Sequence, residues 1–141
     1  MEKEQLQKEL SLLLIRASLR GKFEVSEAVE SHGITFTQAA TLCLLDPGKP
    51  LPMNALSTFL GCAPSNITGI IDRLVVGSYV VREEWTNDRR IKVISLTTKG
   101  IALRAELLKI AMDTRLPGIN MLSTVKLRDT VQNLNDITPN V

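Results

Sequence analysis

The sequence predicts a mainly α-helical protein of the α+β class, in which one short β-ribbon accompanies several helices. Apolar residues recur at helical spacing over most of the 141-residue chain. Residues 79–83 and 91–96 are instead rich in β-branched side chains and flank a polar loop, which is typical of a hairpin. Segments rich in Pro and Gly, such as residues 46–50, separate these runs as turns.

Three helices are predicted in the N-terminal part. The first covers residues 3–31 and ends at His32-Gly33, where Gly33 supplies a left-handed terminator. Thr35 and Gln38 fit a capping box that starts the second helix, and the third covers residues 53–60. The first helix is apolar on two sides, so both sides need cover, and a second copy of the chain is the expected cover. The two rows are Leu6, Leu10, Leu13, Leu14 and Ala17, and Leu12, Ile15 and Leu19.

Residues 64–100 are the most informative part of the sequence. A fourth helix is expected to begin at Pro64, a residue favoured at the first helical position, and to end at Gly77. Ile67, Ile70, Ile71 and Leu74 form its buried stripe, and Ser65, Asn66, Thr68, Gly69, Asp72 and Arg73 remain on its open side. A short turn between two helices, the second with a small polar leading end, matches the helix-turn-helix pattern. The ribbon that follows, with Asp88-Arg89-Arg90 expected at its tip, makes this a winged helix-turn-helix.

The C-terminal part is predicted to be helical again. Thr97 can cap a fifth helix, Pro117-Gly118 interrupts it, and Ser123 can cap a sixth helix. The apolar positions of these helices are Ile101, Ala105, Leu108 and Met112 in the fifth, and Leu127, Val131 and Leu134 in the sixth. We therefore expect residues 35–100 to form the winged helix-turn-helix lobe, and residues 1–34 and 101–141 a helical dimerisation region.

Composition narrows the class of function. The net charge of +2 gives mild support for a nucleic-acid partner, and no apolar stretch approaches the roughly 18–20 residues that span a bilayer. Met1 to Gln5 lack the layout of a signal peptide, and the two cysteines lack metal-ligand spacing, so we expect a cytoplasmic protein. With one histidine, no glycine-rich phosphate loop and no nucleophile–base pair, the sequence predicts no enzyme, no catalytic residue, no metal and no cofactor.

The order of these elements resembles the MarR (multiple antibiotic resistance regulator) family of transcription factors. The residues that carry the resemblance are Asp72-Arg73-Leu74, Gly77, Val80 or Val81 with Arg82, Asp88-Arg89-Arg90, Leu96-Thr97 and Gly100. The resemblance implies a homodimer joined through its N- and C-terminal helices and a pseudo-palindromic operator in double-stranded DNA. It also implies a repressor in most cases, and often a small aromatic or phenolic effector that alters DNA affinity. Two departures are Ala63, where a hydroxyl cap is common, and Gly69, where a basic residue is frequent.

Each candidate DNA contact also has an ordinary structural explanation. The seven candidates are Ser65, Asn66, Thr68, Arg73, Asp88, Arg89 and Arg90. Ser65, Asn66 and Thr68 can hydrogen-bond base edges, Asn66 being suited to adenine, or can simply favour a helix start; the ribbon downstream favours DNA contact. Arg89 and Arg90 can enter a minor groove or pair with phosphates, or can belong to a solvated turn. The resemblance favours Arg90, with Asp88 orienting it.

The remaining polar candidates stay open between two roles. Arg73 and Arg82 are either phosphate ligands or salt-bridge partners of Asp72 and Glu83, and we favour a mixed role for Arg73. His32 is expected to cap the carbonyls of the first helix rather than to titrate as a sensor. Cys43 is expected to be an inert core thiol. Cys62 is the more interesting cysteine, because modification in the turn before the fourth helix would disturb the placement of that helix, but with no base nearby a redox role is the less favoured interpretation. Trp85 either packs the ribbon or stacks on DNA. The alternative to a DNA-binding regulator is a winged-helix interaction module that binds no DNA.

Overall fold

The computed structural model describes residues 1–113 and 119–138, and it confirms a mainly helical fold with a small sheet. The helices of these ranges are α1 (Glu2–Glu30), α2 (Phe36–Leu44), α3 (Met53–Leu60), α4 (Pro64–Val76), α5 (Thr98–Asp113) and α6 (Thr124–Ile137). The strands are β1 (Leu51–Pro52), β2 (Val80–Trp85) and β3 (Asp88–Leu96), which form an antiparallel sheet in the order β1-β3-β2. The expected break at Pro117-Gly118 lies outside the described residues. The division into a lobe of residues 35–100 and a dimerisation region remains a prediction.

Local capping signals fix several helix boundaries. Thr35 Oγ1 accepts from the Gln38 amide at 3.3 Å, and Gln38 Oε1 accepts from the Thr35 amide at 2.9 Å, which confirms the capping box of α2. Gly33 is left-handed at φ 71°, and Gly61 ends α3 at φ 59°. Ser123 and Thr97 each accept a hydrogen bond from an amide three residues ahead, so both expected caps are present. These boundaries follow from residues within one helical turn of each end.

The ribbon is longer than predicted, and this corrects the expected place of three candidate residues. Asp88, Arg89 and Arg90 begin strand β3, and the tip of the ribbon is the turn Thr86–Asn87. The register changes after Glu84↔Lys92, and Trp85 pairs with Asp88, so pairing continues to the turn on both strands. Strand β1, which the sequence did not predict, adds to the other edge of β3 through Leu51↔Ile94. The longer ribbon depends on hairpin pairing between neighbouring strands, and β1 depends on pairing with a distant segment; the polar and Pro-containing residues involved have low strand propensity and do not predict either feature.

The core lies between helices α1 to α5 and the sheet. Its fully buried large side chains include Leu42, Leu45, Leu56, Ile67, Ile71, Leu74 and Ile94. On α5 the residues that face this core are Leu103 and Leu107, whereas Ile101 and Met112 are exposed. The apolar row that predicted α5 therefore faces away from the core of the single chain.

A large apolar surface is left uncovered along α1 and α6. Leu6 is 57% exposed and Leu12 is 61% exposed, so both predicted apolar rows of α1 are open in the single chain. Helix α6 packs extensively against no other described element, and Val131 is 56% exposed. In the two described ranges, no helix combines the length and the hydropathy required to cross a membrane.

Candidate nucleic-acid interface

Helix α4 has one buried side and one open polar side, as the sequence predicted. Ile67, Ile71 and Leu74 are buried in the core. Ser65, Asn66, Thr68, Gly69, Asp72 and Arg73 are all exposed. The Thr68 hydroxyl donates to the Pro64 carbonyl at 3.2 Å, which turns it back onto its own helix. In the part of the chain that the structure describes, the side chains of Ser65 and Asn66 make no hydrogen bond, so their polar groups are free for a ligand.

The start of α4 lacks a side-chain cap, as expected from Ala63. Its first turn is closed by the backbone, with the Asn66 amide donating to the Ala63 carbonyl at 2.9 Å. The preceding turn is held by Ser57, whose hydroxyl donates to the Cys62 carbonyl at 2.6 Å. Cys62 is half-buried and packs against the core, so this turn is anchored from within. The leading end of α4 therefore takes its direction from α3 rather than from a cap.

A groove separates the leading side of α4 from the start of α2. Ser65, Asn66, Gly69 and Arg73 line it on the α4 side. Thr35, Thr37 and Gln38 line it on the α2 side. Thr35 and Gln38 were predicted only as caps of α2, and Thr37 was not predicted to be a site residue. No periodic or motif signal places Thr37 here; only the packing of α2 on α4 brings its hydroxyl to the groove.

Asp88 and Arg90 form a hydrogen-bonded ion pair on the ribbon. Asp88 Oδ1 accepts from Arg90 Nε at 3.1 Å and from the Arg90 amide at 3.0 Å, and Asp88 Oδ2 accepts from Arg90 Nη2 at 3.0 Å. These hydrogen bonds lower the pKa of Asp88, and the Asp88 carboxylate raises the pKa of Arg90. The Arg90 side chain is 90% exposed although it is paired. The contact predicted between Asp88 and Arg90 is present, and it holds a cation at the surface of the ribbon.

Arg82 is engaged within the protein. Its Nη2 atom lies 2.5 Å from Asp72 Oδ1, so the base of the ribbon is joined to the open side of α4. This assigns Arg82 to the salt-bridge role, with Asp72 rather than Glu83 as partner. Lys92 pairs with Glu84 across the ribbon at 2.8 Å. Among the described residues, Arg73 and Arg89 have no ion-pair partner, so their charges are available to a polyanion.

A second, apolar cavity of about 480 Å³ lies between α1, α2 and α5. Leu19, Val25, Phe36 and Leu107 line it, and Lys22 lies at its wall with Nζ 5.9 Å from the centre of the Phe36 ring. Cys43 also lines this cavity rather than the closed core, and burial raises the pKa of its thiol, with Arg104 acting weakly in the opposite direction. A raised pKa keeps Cys43 in the unreactive thiol form, as the sequence predicted.

His32 does not cap α1 with its side chain. Its Nε2 atom lies 3.7 Å from Glu106 Oε2 on α5, and only its backbone amide closes the helix, donating to the Val29 carbonyl at 3.0 Å. The imidazole instead lies near a carboxylate that is distant in the sequence. Across residues 1–113 and 119–138, no cluster of His, Cys, Asp and Glu side chains has the arrangement of a metal site.

Comparison with known proteins gives consistent matches to one family. Residues 34–92 match the model of the MarR family. The chain is 35% identical over 94 residues to the HTH-type transcriptional regulator PrsX of Escherichia coli, a match that covers 65% of this chain and 57% of PrsX. It is 29% identical over 97 residues to the HTH-type transcriptional repressor MdtR of Bacillus subtilis, covering 69% of this chain and 63% of MdtR. The chain thus spans less than two thirds of the length of these curated relatives.

Solved structures show the same fold over nearly the whole chain. The transcriptional regulator BldR of Sulfolobus solfataricus superimposes with a TM-score of 0.75 at 20% identity, covering 96% of this chain and 94% of BldR. A mutant MarR of E. coli complexed with operator DNA superimposes with a TM-score of 0.69 at 22% identity, covering 93% of this chain and 94% of that one. The matches in sequence and in fold agree with the motif residues, and residues 34–92 of the chain form a MarR-family domain.

Proposed function

We propose that this protein is a DNA-binding transcriptional regulator in which α4 reads bases in the major groove and the ribbon contacts the adjacent backbone or minor groove. The observation that carries the proposal is the joint between the two elements. Asp72 on the open side of α4 is bonded to Arg82 at the base of the ribbon that presents Arg89 and Arg90. A polar helix face and a cationic ribbon held together suit two neighbouring grooves of a duplex. The operator complex of the E. coli MarR mutant, a protein of the same fold, supports DNA binding.

Within this interface, the proposed contacts divide by chemistry. Ser65, Asn66 and Thr68 are assigned to base edges, with Asn66 the best suited because its free amide both donates and accepts. Arg73, beside the groove to α2, is assigned to the phosphate backbone. On the ribbon, Arg89 and Arg90 are the cations, with Asp88 orienting Arg90.

The test separates this function from that of a winged-helix interaction module. The purified protein is titrated against random-sequence duplex DNA at several salt concentrations, and operator sequences are selected from a random pool. A regulator binds non-specific DNA with an affinity that falls linearly with salt on a logarithmic scale, and it enriches one pseudo-palindromic sequence. Absence of binding to DNA and to heparin at low salt would favour the interaction module.

We further propose that the protein acts as a homodimer, most simply as a repressor, in the cytoplasm. Leu6, Leu10 and Leu13 on one side of α1, and Val131 on α6, are exposed apolar side chains that a second copy would bury. Covering these rows requires an interface of the obligate class, about 2,000 Å² or more. A dimer also matches the two half-sites of a pseudo-palindrome. Sedimentation at low micromolar concentration should show a dimer; a stable folded monomer would contradict this part of the proposal.

The apolar cavity supports a small-molecule effector. Its volume of about 480 Å³ is within the usual range for ligand pockets, and Lys22 at its wall would favour a carboxylate or phenolate on an aromatic body. Because α1, α2 and α5 all line the cavity, a ligand there would favour one arrangement of the lobe against the dimerisation helices. Aromatic acids and phenols are screened for thermal stabilisation, and the hits are tested for a change in DNA affinity. Tight binders that leave DNA affinity unchanged would count against effector control.

A further inference from the structure

The turn from α4 into β2 is a tightly packed joint. Ser78 adopts a left-handed conformation at φ 61°, which is uncommon for a residue other than glycine. The Tyr79 amide donates to the Leu74 carbonyl at 2.9 Å, which closes the end of α4. A Cβ atom at Gly77 would lie 2.7 Å from the Tyr79 ring, so this position has no room for a side chain. The angle between α4 and the ribbon is therefore set within Gly77, Ser78 and Tyr79.

The first residues of α5 bind this joint from a distant part of the chain. The Thr97 hydroxyl donates to the Ser78 carbonyl at 2.7 Å, with the Tyr79 carbonyl 3.1 Å away, and the Thr97 amide donates to the Tyr79 carbonyl at 3.0 Å. The same hydroxyl oxygen accepts from the Gly100 amide at 3.0 Å as the cap of α5. A Cβ atom at Gly100 would lie 2.0 Å from the Tyr79 carbonyl oxygen, so α5 begins in direct contact with the backbone of the joint.

Lys99 adds a charged contact to the same joint. Its Nζ atom donates to the Gly77 carbonyl at 2.8 Å and lies 4.4 Å from the centre of the Tyr79 ring. The Gly77 carbonyl is at the C-terminal end of α4, where the helix dipole favours a cation. The contact with the aromatic ring adds a cation–π interaction. Lys99 therefore holds the end of α4, while Thr97 holds the two residues that follow, Ser78 and Tyr79, through its hydroxyl and amide.

We propose that Thr97 and Lys99 are positioning residues that fix α4, and with it the polar side assigned to bases, to helix α5. Eight residues or more beyond this clamp, Leu107 and Ala111 of the same helix line the apolar cavity. The orientation of α4 is thus tied to a helix that also borders the proposed effector site. This inference rests on the proposed DNA-binding function.

Lys99 is exposed, so the rival explanation is a phosphate ligand. The two roles differ in their salt dependence. A lysine that neutralises a phosphate contributes about 0.9 to the logarithmic salt slope and strengthens binding to every sequence. A lysine that only orients α4 changes the discrimination between operator and non-specific DNA and leaves the slope unchanged.

The DNA experiment compares Lys99→Met, Lys99→Arg and, as a charge-matched control on the same helix, Lys109→Met. The probe is the operator selected from random duplexes, with random DNA alongside. We expect Lys99→Met to lower operator affinity by about two- to tenfold, as for one ordinary hydrogen bond, with the salt slope and non-specific affinity of the wild type. Lys99→Arg and Lys109→Met should both bind the operator with the affinity of the wild type. A slope lower by about 0.9 would overturn the positioning role in favour of a phosphate contact.

A measurement without DNA tests the clamp separately from the proposed function. The amides of Ser78 and Tyr79 are both hydrogen-bonded in the joint, so their hydrogen exchange reports its opening. Exchange should be several-fold faster in Lys99→Met and return to the wild-type rate in Lys99→Arg, with more distant amides unaffected. Unchanged exchange at these two amides would overturn the clamp. A wild-type protein that binds no DNA would instead refute the proposed function, and the exchange data would still decide the clamp.

Discussion

Replacing Arg90 with alanine tests whether the ribbon contacts DNA. Asp88 occupies the Nε–H and one Nη2–H of Arg90, and a guanidinium has five N–H donors, so three remain free towards solvent. Arg90 can therefore bind a phosphate or enter a minor groove while Asp88 still orients it. We expect Arg90→Ala to weaken binding to all DNA sequences rather than to the operator alone.

The magnitude follows from the charge that is removed. One lost phosphate contact lowers the logarithmic salt slope by about 0.9, which corresponds to a loss of about eightfold at 0.1 M salt relative to 1 M. The deletion also leaves the Asp88 carboxylate without its cation on the DNA side, which adds repulsion to the loss. Arg90→Ala should therefore reduce affinity by at least this factor at 0.1 M, and an added Asp88→Asn change should recover part of the loss.

The assay is a titration of labelled duplexes at several salt concentrations. Arg20→Ala is the matched control, because Arg20 is also an exposed arginine in an ion pair, with Glu24 on α1. This control should leave the slope unchanged. If Arg90→Ala leaves both the affinity and the slope at wild-type values, the ribbon is not a DNA contact and the interaction-module reading takes precedence.

Three further predictions concern the same interface. Asn66→Ala should weaken binding to the selected operator by about 1–3 kcal/mol and change binding to random DNA little, because a contact with a base discriminates between sequences. The loss of binding free energy should add to that of Arg90→Ala in the double mutant, and strong non-additivity would mean that the two residues share one contact. A double-mutant cycle of Asp72→Asn and Arg82→Met, followed by chemical unfolding, should give a coupling of about 0.5–1 kcal/mol, since the pair is partly exposed; zero coupling would remove its role as a joint. NMR titration should show that the lowered pKa of Asp88 rises in Arg90→Ala. Any stabilisation of the fold by this pair is present above the ordinary carboxyl pKa and is lost as the pH falls through the lowered pKa of Asp88.

Features set by nearby residues could be predicted from the sequence. The capping box of α2 needs only Thr35 and Gln38, which are three residues apart, and the end of α3 needs only a left-handed Gly61. The buried and open sides of α4 follow from its helical period, because side chains one turn apart share a face. The polar residues proposed as DNA contacts on α4 were therefore identifiable without a structure.

Features set by contacts between elements were decided only by the tertiary structure. The predicted ribbon ended too early because Asp88 has low strand propensity, whereas pairing with β2 extends β3 to the turn. The sequence also identified the apolar row of Ile101 and Met112 on α5, although the side that faces the core is Leu103 and Leu107. Hydropathy alone does not distinguish a side buried within the chain from one left for a partner.

By itself the sequence determined the class of fold, the helix boundaries and the family resemblance, because each depends on short-range patterns of hydropathy and capping. Only the tertiary structure decided which charges are paired. It joined Arg82 to Asp72, which lies ten residues earlier, and Lys99 to the carbonyl of Gly77 on another element. A long, flexible cationic side chain can reach many acceptors that are equivalent in sequence, and packing of the backbone selects one of them. Packing therefore decides which cations stabilise the interface and which remain available to contact DNA.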